Sequence, residues 1–193
     1  VNASVMKEWP YQLLDRSYHG RLVENASAFT REAGISMAYL DTPMAKVCEK
    51  DQIDWVKNYR QHLADGSGGF IYIGNGFGAI VDRMSVITAA FLRNYIDARM
   101  LTIKEVTDGD NALEPTVLLV PDFHTLFATT GSPLPAWQIQ TLYSIILGRY
   151  MARKISVLYT ENFKVLKSVY GSEMYTLLKA HWSGFENKKE ADK

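Results

Sequence analysis

Short apolar runs alternate along this chain with longer segments in which apolar residues recur every three to four positions. Phe70-Ile71-Tyr72-Ile73 is a β-rich run that follows the loop Asp65-Gly66-Ser67-Gly68-Gly69. Gly74-Asn75-Gly76-Phe77-Gly78 comes directly after it. Residues 81–98 then carry helical spacing through Met84, Ile87, Phe91, Tyr95 and Ala98. Residues 100–106 alternate weakly and read as a second strand. Val117-Leu118-Leu119-Val120 is continuously apolar, as in a strand covered on both faces, and Pro121-Asp122 closes it. Residues 136–153 predict an amphipathic helix with Trp137, Leu142, Ile145, Ile146 and Tyr150 on or near one face. Ile155-Ser156-Val157-Leu158-Tyr159 predicts a further strand. Residues 50–63 predict a helix, and 163–169 and 173–182 two more, separated by Gly171.

Strands alternating with helices predict an α/β fold, a three-layer sandwich around a mainly parallel sheet. Ligands of such sheets bind beyond the carboxyl ends of the strands. Here those ends are residues 74–78, Pro121-Asp122 and Thr160-Glu161-Asn162, so three loops converge on one crevice. One stretch fits poorly. Only residues 108–115 separate the second strand from the third, fewer than the ~10–12 a parallel crossover takes.

The 193 residues suit one main domain, and 47% hydrophobic with 22% charged residues excludes bulk disorder. Lys+Arg and Asp+Glu are 21 each, so the net charge is zero, which argues against a broad basic surface for nucleic acid. Cys48 is the single cysteine, so no internal disulfide forms. No apolar run reaches the ~20 residues of a membrane span, and residues 1–7 do not read as a secretory leader. The expectation is a cytoplasmic protein without membrane contact. Residues 186–193 are charged and predict a disordered tail.

The glycine loop has two chemical readings beside that of a plain tight turn. Backbone N–H groups at a helix N-terminus favour phosphate. A P-loop, G-x-x-x-x-G-K-[ST], needs its Lys and hydroxyl to hold the triphosphate and Mg²⁺. Here Gly78 is followed by Ala79 and Ile80, and the nearest substitutes, Arg83 and Ser85, lie further along the helix. The dinucleotide pattern G-x-G-x-x-[GA] is met by Gly74, Gly76 and Ala79, with Glu105 or Asp108 as the acid for the ribose.

Segments around the loop resemble the DnaC/DnaI helicase-loader and IstB transposition-helper family of AAA+ ATPases. Ala33-Gly34-Ile35-Ser36-Met37-Ala38-Tyr39-Leu40 is similar to its A-G-I-P-x-x-Y-L segment. Val117 through Asp122 resembles its Walker B strand, and Arg149-Tyr150 the R-Y pair ending the next helix. Residues 155–162 resemble the strand carrying its sensor-1 polar residue, at Asn162, and Leu166 to Gly171 its L-x-x-x-[FY]-G. The resemblance covers residues 33–180. It implies a P-loop NTPase (AAA+)-like domain over 33–185, with 1–32 as a helical extension or partner-binding arm. It also implies a nucleotide loop at Gly74, Asn75, Gly76, Phe77, Gly78 and Ala79, with Asp122 in the place of the water-activating acid.

The departures fall on the catalytic groups. Ala79 and Ile80 replace the Lys and hydroxyl, Pro121 replaces the Mg²⁺-side acid, and no arginine follows Gly171. The expectation is a degenerate site with no resident cofactor and ATP held weakly at most. Function then rests on a protein partner such as a replicative helicase, or on self-association, with weak or no single-stranded DNA binding. The alternatives are an active loader or transposition helper using Arg83, Ser85 and Asp122, and a Rossmann-type dinucleotide enzyme. Asn162 also reads as a helix N-cap. His19, His62, His124 and His181 are dispersed without metal-ligand spacing, so no metal is expected. Asp122 with His124 could form an acid–base pair. Arg153, Lys154, Lys164 and Lys167 form a modest basic set near the last strand.

Overall fold

The structure, a computed structural model, describes residues 16–123 and 135–186. Five strands form one parallel sheet: β1 (Gly69–Ile73), β2 (Ala98–Met100), β3 (Val117–Val120), β4 (Ile155–Thr160) and β5 (Trp182–Glu186). Their order across the sheet is β2-β3-β4-β1-β5. Gly69 pairs with Ser156 on one side and Trp182 on the other, and Val117 pairs with Ile155 and Ala98. β3 and β4 are buried along their whole length, which is why Val117–Val120 runs apolar without alternation.

Alternate residues of each central strand feed two cores. Phe70, Tyr72, Leu119, Val157 and Tyr159 pack under α3 (Lys50–Lys57) and α5 (Phe77–Arg93), where Trp55, Ile80, Met84 and Ile87 meet them. Ile71, Leu118, Val120 and Leu158 face the other way. They pack under α6 (Ile103–Asp108), α7 (Ala136–Met151) and α8 (Phe163–His181), against Val106, Leu142, Ile146, Leu166 and Met174. This is the three-layer α/β sandwich that the sequence predicts.

Ahead of the sheet, α1 (Arg16–Glu24) and α2 (Ala26–Glu32) form a helical pair, and Ala26 and Ala33 pack with Leu40 and Ala89 of α5. Residues 1–15, 124–134 and 187–193 lie outside the described residues, and with them His124 and its pairing with Asp122.

The structure corrects five readings. The second strand is Ala98–Met100 and not 100–106, because Thr102 and Glu105 form a capping box that starts α6. The Thr102 hydroxyl accepts from the Glu105 N–H at 3.3 Å, and the Glu105 carboxylate accepts from the Thr102 N–H at 2.7 Å. The crossover to β3 therefore spans residues 101–116, and the short connection disappears. Helix α5 runs from Phe77 to Arg93 and not over 81–98. It ends in a Schellman turn, with the Tyr95 N–H on the Leu92 carbonyl and the Ile96 N–H on that of Phe91. The 50–63 helix is two, α3 and α4 (Tyr59–Ala64), broken at Asn58. Trp182 opens β5 rather than ending a helix. Its indole donates to the Ser156 carbonyl at 2.8 Å, and its ring lies where a Cβ on Gly68 would stand, 2.4 Å away. Glu186, expected in the tail, closes β5. Gly171 does interrupt α8, at φ 84° and ψ 173°.

Candidate functional site at the carboxyl ends of the central strands

β3, β4 and β1 are neighbours, so the loops that follow them share one end of the sheet. The Gly74 N–H donates to the Thr160 carbonyl at 3.0 Å, tying the first loop to the end of β4. The glycine loop is short. Only Gly74-Asn75-Gly76 separates β1 from α5. Gly74 and Gly76 sit at φ 118° and 111°, a region where any Cβ is strained. Gly78 is helical, with open space where its Cβ would stand, so the geometry requires glycine at 74 and 76 only.

The first turn of α5 has no side-chain cap. Phe77 opens the helix, 45% exposed, with its ring stacked at 6.2 Å on Tyr159 of β4. Ala79 faces solvent. Ile80 is fully buried and belongs to the core with Met84 and Tyr159. The side chain of Ile80 is thus turned into the core under the sheet.

The two substitutes are engaged elsewhere. Arg83 donates to the Val47 carbonyl at 3.2 Å and stands 3.7 Å from Glu49. Ser85 is buried, donates to the Val81 carbonyl at 2.8 Å, and lies about 12 Å along the helix from Phe77.

Asp122 is half-buried at the end of β3. Its carboxylate accepts from the Ile103 N–H, the first of α6, at 2.8 Å. Burial holds its pKa above the usual carboxylate range, and the Ile103 N–H pulls it partly back. Asn162 caps α8. Its side-chain oxygen accepts from the Lys164 N–H at 2.9 Å, while the Thr160 hydroxyl donates to its carbonyl. Beside it, a cleft of about 90 Å³ is lined by Phe123, Thr160, Asn162, Val165 and Tyr170, and the Tyr170 hydroxyl donates to the Phe123 carbonyl. The loops converge as the topology requires.

These residues do not fit a triphosphate with Mg²⁺. Ala79 and Ile80 lack the chemistry, and Arg83, Ser85 and Asp122 hold other partners. Among the described residues no group of His, Cys, Asp and Glu is placed to hold a metal ion. The strand order also excludes the Rossmann arrangement, in which the second strand neighbours the first. Here β2 lies three strand spacings from β1, about 14 Å, and Glu105 is tied into its capping box.

Two features are new in the structure: the sequence named Arg149 only as part of an R-Y pair, and it did not point to the ring stack. One is the Phe77–Tyr159 stack. The other is the full burial of Arg149 on α7, where it donates to Ser156 and to the Ala112, Pro115, Thr116 and Ile155 carbonyls. Its signal was present, since Leu142, Ile146 and Arg149 share one helical face.

The architecture is a three-layer α/β sandwich around a five-stranded parallel sheet, and it has neighbours among solved structures. The chain is similar to a crystal structure of the DnaC helicase loader, with TM-score 0.55 and 14% identity over 91% of this chain and 93% of that one. It is also similar to the replication initiator DnaA bound to AMPPCP and single-stranded DNA, with TM-score 0.52 and 10% identity over 71% of this chain and 45% of that one. A DNA replication initiation factor gives TM-score 0.51 and 10% identity over 67% of this chain. The chain spans 44% of that protein's length. Identities this low carry the fold and nothing finer. No family profile and no curated protein matches the sequence.

Proposed function

We propose that this chain is a helicase-loader-like protein of the AAA+ fold that acts by binding a replicative helicase and does not turn over ATP. The observation that supports the reading is the three-residue turn Gly74-Asn75-Gly76, which runs straight into α5, where Ala79 and buried Ile80 carry neither an amine nor a hydroxyl for a phosphate. Without them, attraction for phosphate comes from backbone N–H groups and a helix dipole worth about 0.3–1 kcal/mol. That holds a nucleotide weakly and cannot organise Mg²⁺ for hydrolysis. Similarity to the DnaC helicase loader over nearly the whole of both chains supports a loader-type role. Zero net charge supports weak, salt-sensitive contact with single-stranded DNA at most.

Phosphate release with ATP and Mg²⁺, measured with and without the replicative helicase of the same source, tests the first half. No turnover above a buffer blank is expected. Size-exclusion chromatography of the mixture tests the second half, and a co-eluting complex that forms without nucleotide is expected. Turnover abolished by Asp122→Ala would return the site to the active-loader reading.

A further inference from the structure

A second cleft lies at the opposite end of the sheet from the glycine loop, beside the start of the edge strand β2. Leu22 of α1, Phe29 of α2, and Leu92, Tyr95 and Ile96 at the end of α5 form its apolar walls. Its volume is about 240 Å³. That is below the ~300–1,000 Å³ of small-molecule and cofactor sites, and closer to the room one bulky side chain occupies. Phe29 and Tyr95 remain 37% and 39% exposed, so two aromatic faces stand open at its mouth.

The backbone there is also unusual. Tyr95 holds φ 55° as the residue that closes α5, a position where glycine is the unstrained choice. The turn sets a large aromatic side chain at the cleft at a backbone cost. Such strain clusters at ligand clamps and binding sites.

The rim is charged with one sign in excess. The Arg99 guanidinium lies 3.2 Å from Glu32, 3.4 Å from Asp97 and 3.7 Å from Glu114. Three carboxylates share one cation, and each is about half exposed or more, whereas Arg99 is mostly covered. Among the described residues that line the cleft, Glu32 and Asp97 stand against Arg99 alone, so the rim carries a negative excess around an apolar hole, with Glu114 beside it. Phosphate is repelled by such a rim, and Lys or Arg is attracted.

We propose that this cleft binds a segment of a partner protein that inserts one bulky apolar side chain flanked by Lys or Arg. Buried aromatic and aliphatic anchors in small pockets carry most of the energy of protein interfaces, and the rim charge selects the partner. The α1–α2 pair, part of the 1–32 segment read from the sequence as a helical extension or a partner-binding arm, supplies one wall. The inference rests on the reading that the chain works by binding a protein, and it is independent of the state of the nucleotide loop.

The test uses two labelled peptides, one alternating Lys and Leu around a central Trp, the other identical with Glu for Lys, read by fluorescence anisotropy on the whole chain. The basic peptide is expected to bind at least tenfold more tightly. Phe29→Ala and Glu32→Lys should each weaken it at least fivefold, whereas Trp137→Ala, at another exposed aromatic, should leave it unchanged. Phe29 and Glu32 are exposed enough that thermal melts should stay close to the parent protein. Equal binding of both peptides, or parent-like binding by both Phe29→Ala and Glu32→Lys, overturns the proposal. So does self-association that Phe29→Ala abolishes and the basic peptide does not compete with, since a second copy would then own the cleft. ATP turnover with the peptide pattern intact removes the functional reading and keeps the cleft. A helicase complex with no peptide discrimination does the reverse.

Discussion

Asp122 stands at a position that permits two kinds of chemistry, and its hydrogen bond separates them. A carboxylate kept for water activation faces an open site. This one spends an oxygen on the Ile103 N–H, and its burial raises its pKa. A raised carboxyl pKa means that ionisation costs more in the folded state than in the unfolded one, so the charge disfavours folding at neutral pH. Asp122→Asn keeps an acceptor of the same shape and removes the charge. Urea denaturation should show that variant as stable as the parent or more so, by up to about 1 kcal/mol. Asp122→Ala leaves the Ile103 N–H unpaired and should cost about 1–3 kcal/mol. An Asp122→Asn variant clearly less stable than the parent would mean the carboxylate is needed as a charge. Asn162 is a parallel case, because a polar residue after a strand caps the next helix whether or not it also senses a nucleotide. The convergence of the loops after β1, β3 and β4 was legible in the order of strands and helices. The hydrogen bonds that commit Asp122, Arg83 and Ser85 were not, since each partner lies on another element or in the backbone.

At the level of elements, α6 shows how a weak alternation loses to a strong local signal. The run Met100-Leu101-Thr102-Ile103-Lys104-Glu105-Val106 alternates enough to suggest a strand, yet Thr102 and Glu105 have capping-box spacing and the cap decides. The helix covers Ile103–Asp108 alone, too short to persist without its cap and its packing. Thr102→Ala should cost about 1 kcal/mol. Hydrogen exchange should quicken over the α6 amides and stay unchanged in β3 and β4, and a uniform increase would contradict this local role. The central elements were legible because burial on both faces writes a continuous apolar run, as in Val117–Val120. β5 was not. Its Trp-Ser-Gly-Phe-Glu carries a glycine and a charge, and it exists because Trp182 reaches the Ser156 carbonyl and because β1 offers it an edge. The break at Asn58 between α3 and α4 was equally silent, since apolar spacing continues across it.

Across the whole molecule, the two cores on either side of the sheet hold titratable groups whose protons are bound to the folded state. Burial raises the Tyr72 phenol on one side and the Tyr170 phenol on the other, and it pushes the Cys48 thiol up to about 12. The unfolded chain gives up these protons near the ordinary values, about 8.5 for Cys and about 10 for Tyr. Their stabilising effect is therefore complete below those values and is lost as pH rises through the folded ones. Arg149 works in the opposite sense. Burial lowers it to about 9, from an ordinary value above ~12, so the cost of its buried charge is relieved over that same range. Cys48 and Arg149 act in opposite directions over that range, which leaves the raised phenols, Tyr72 and Tyr170 with Tyr159 and Tyr39, to decide the sign. The melting temperature should stay level up to about pH 9 and fall beyond about pH 10, where exposed tyrosines ordinarily ionise. Tyrosinate absorbance at fixed temperature should rise in two stages, exposed residues first and Tyr72 and Tyr170 only with unfolding. Tyr72→Phe keeps the ring in the core, gives up the 3.3 Å hydrogen bond to Gln52, and should make the alkaline fall shallower. Ionisation of every tyrosine before the protein melts would show that the phenols are not held neutral by burial in the two cores.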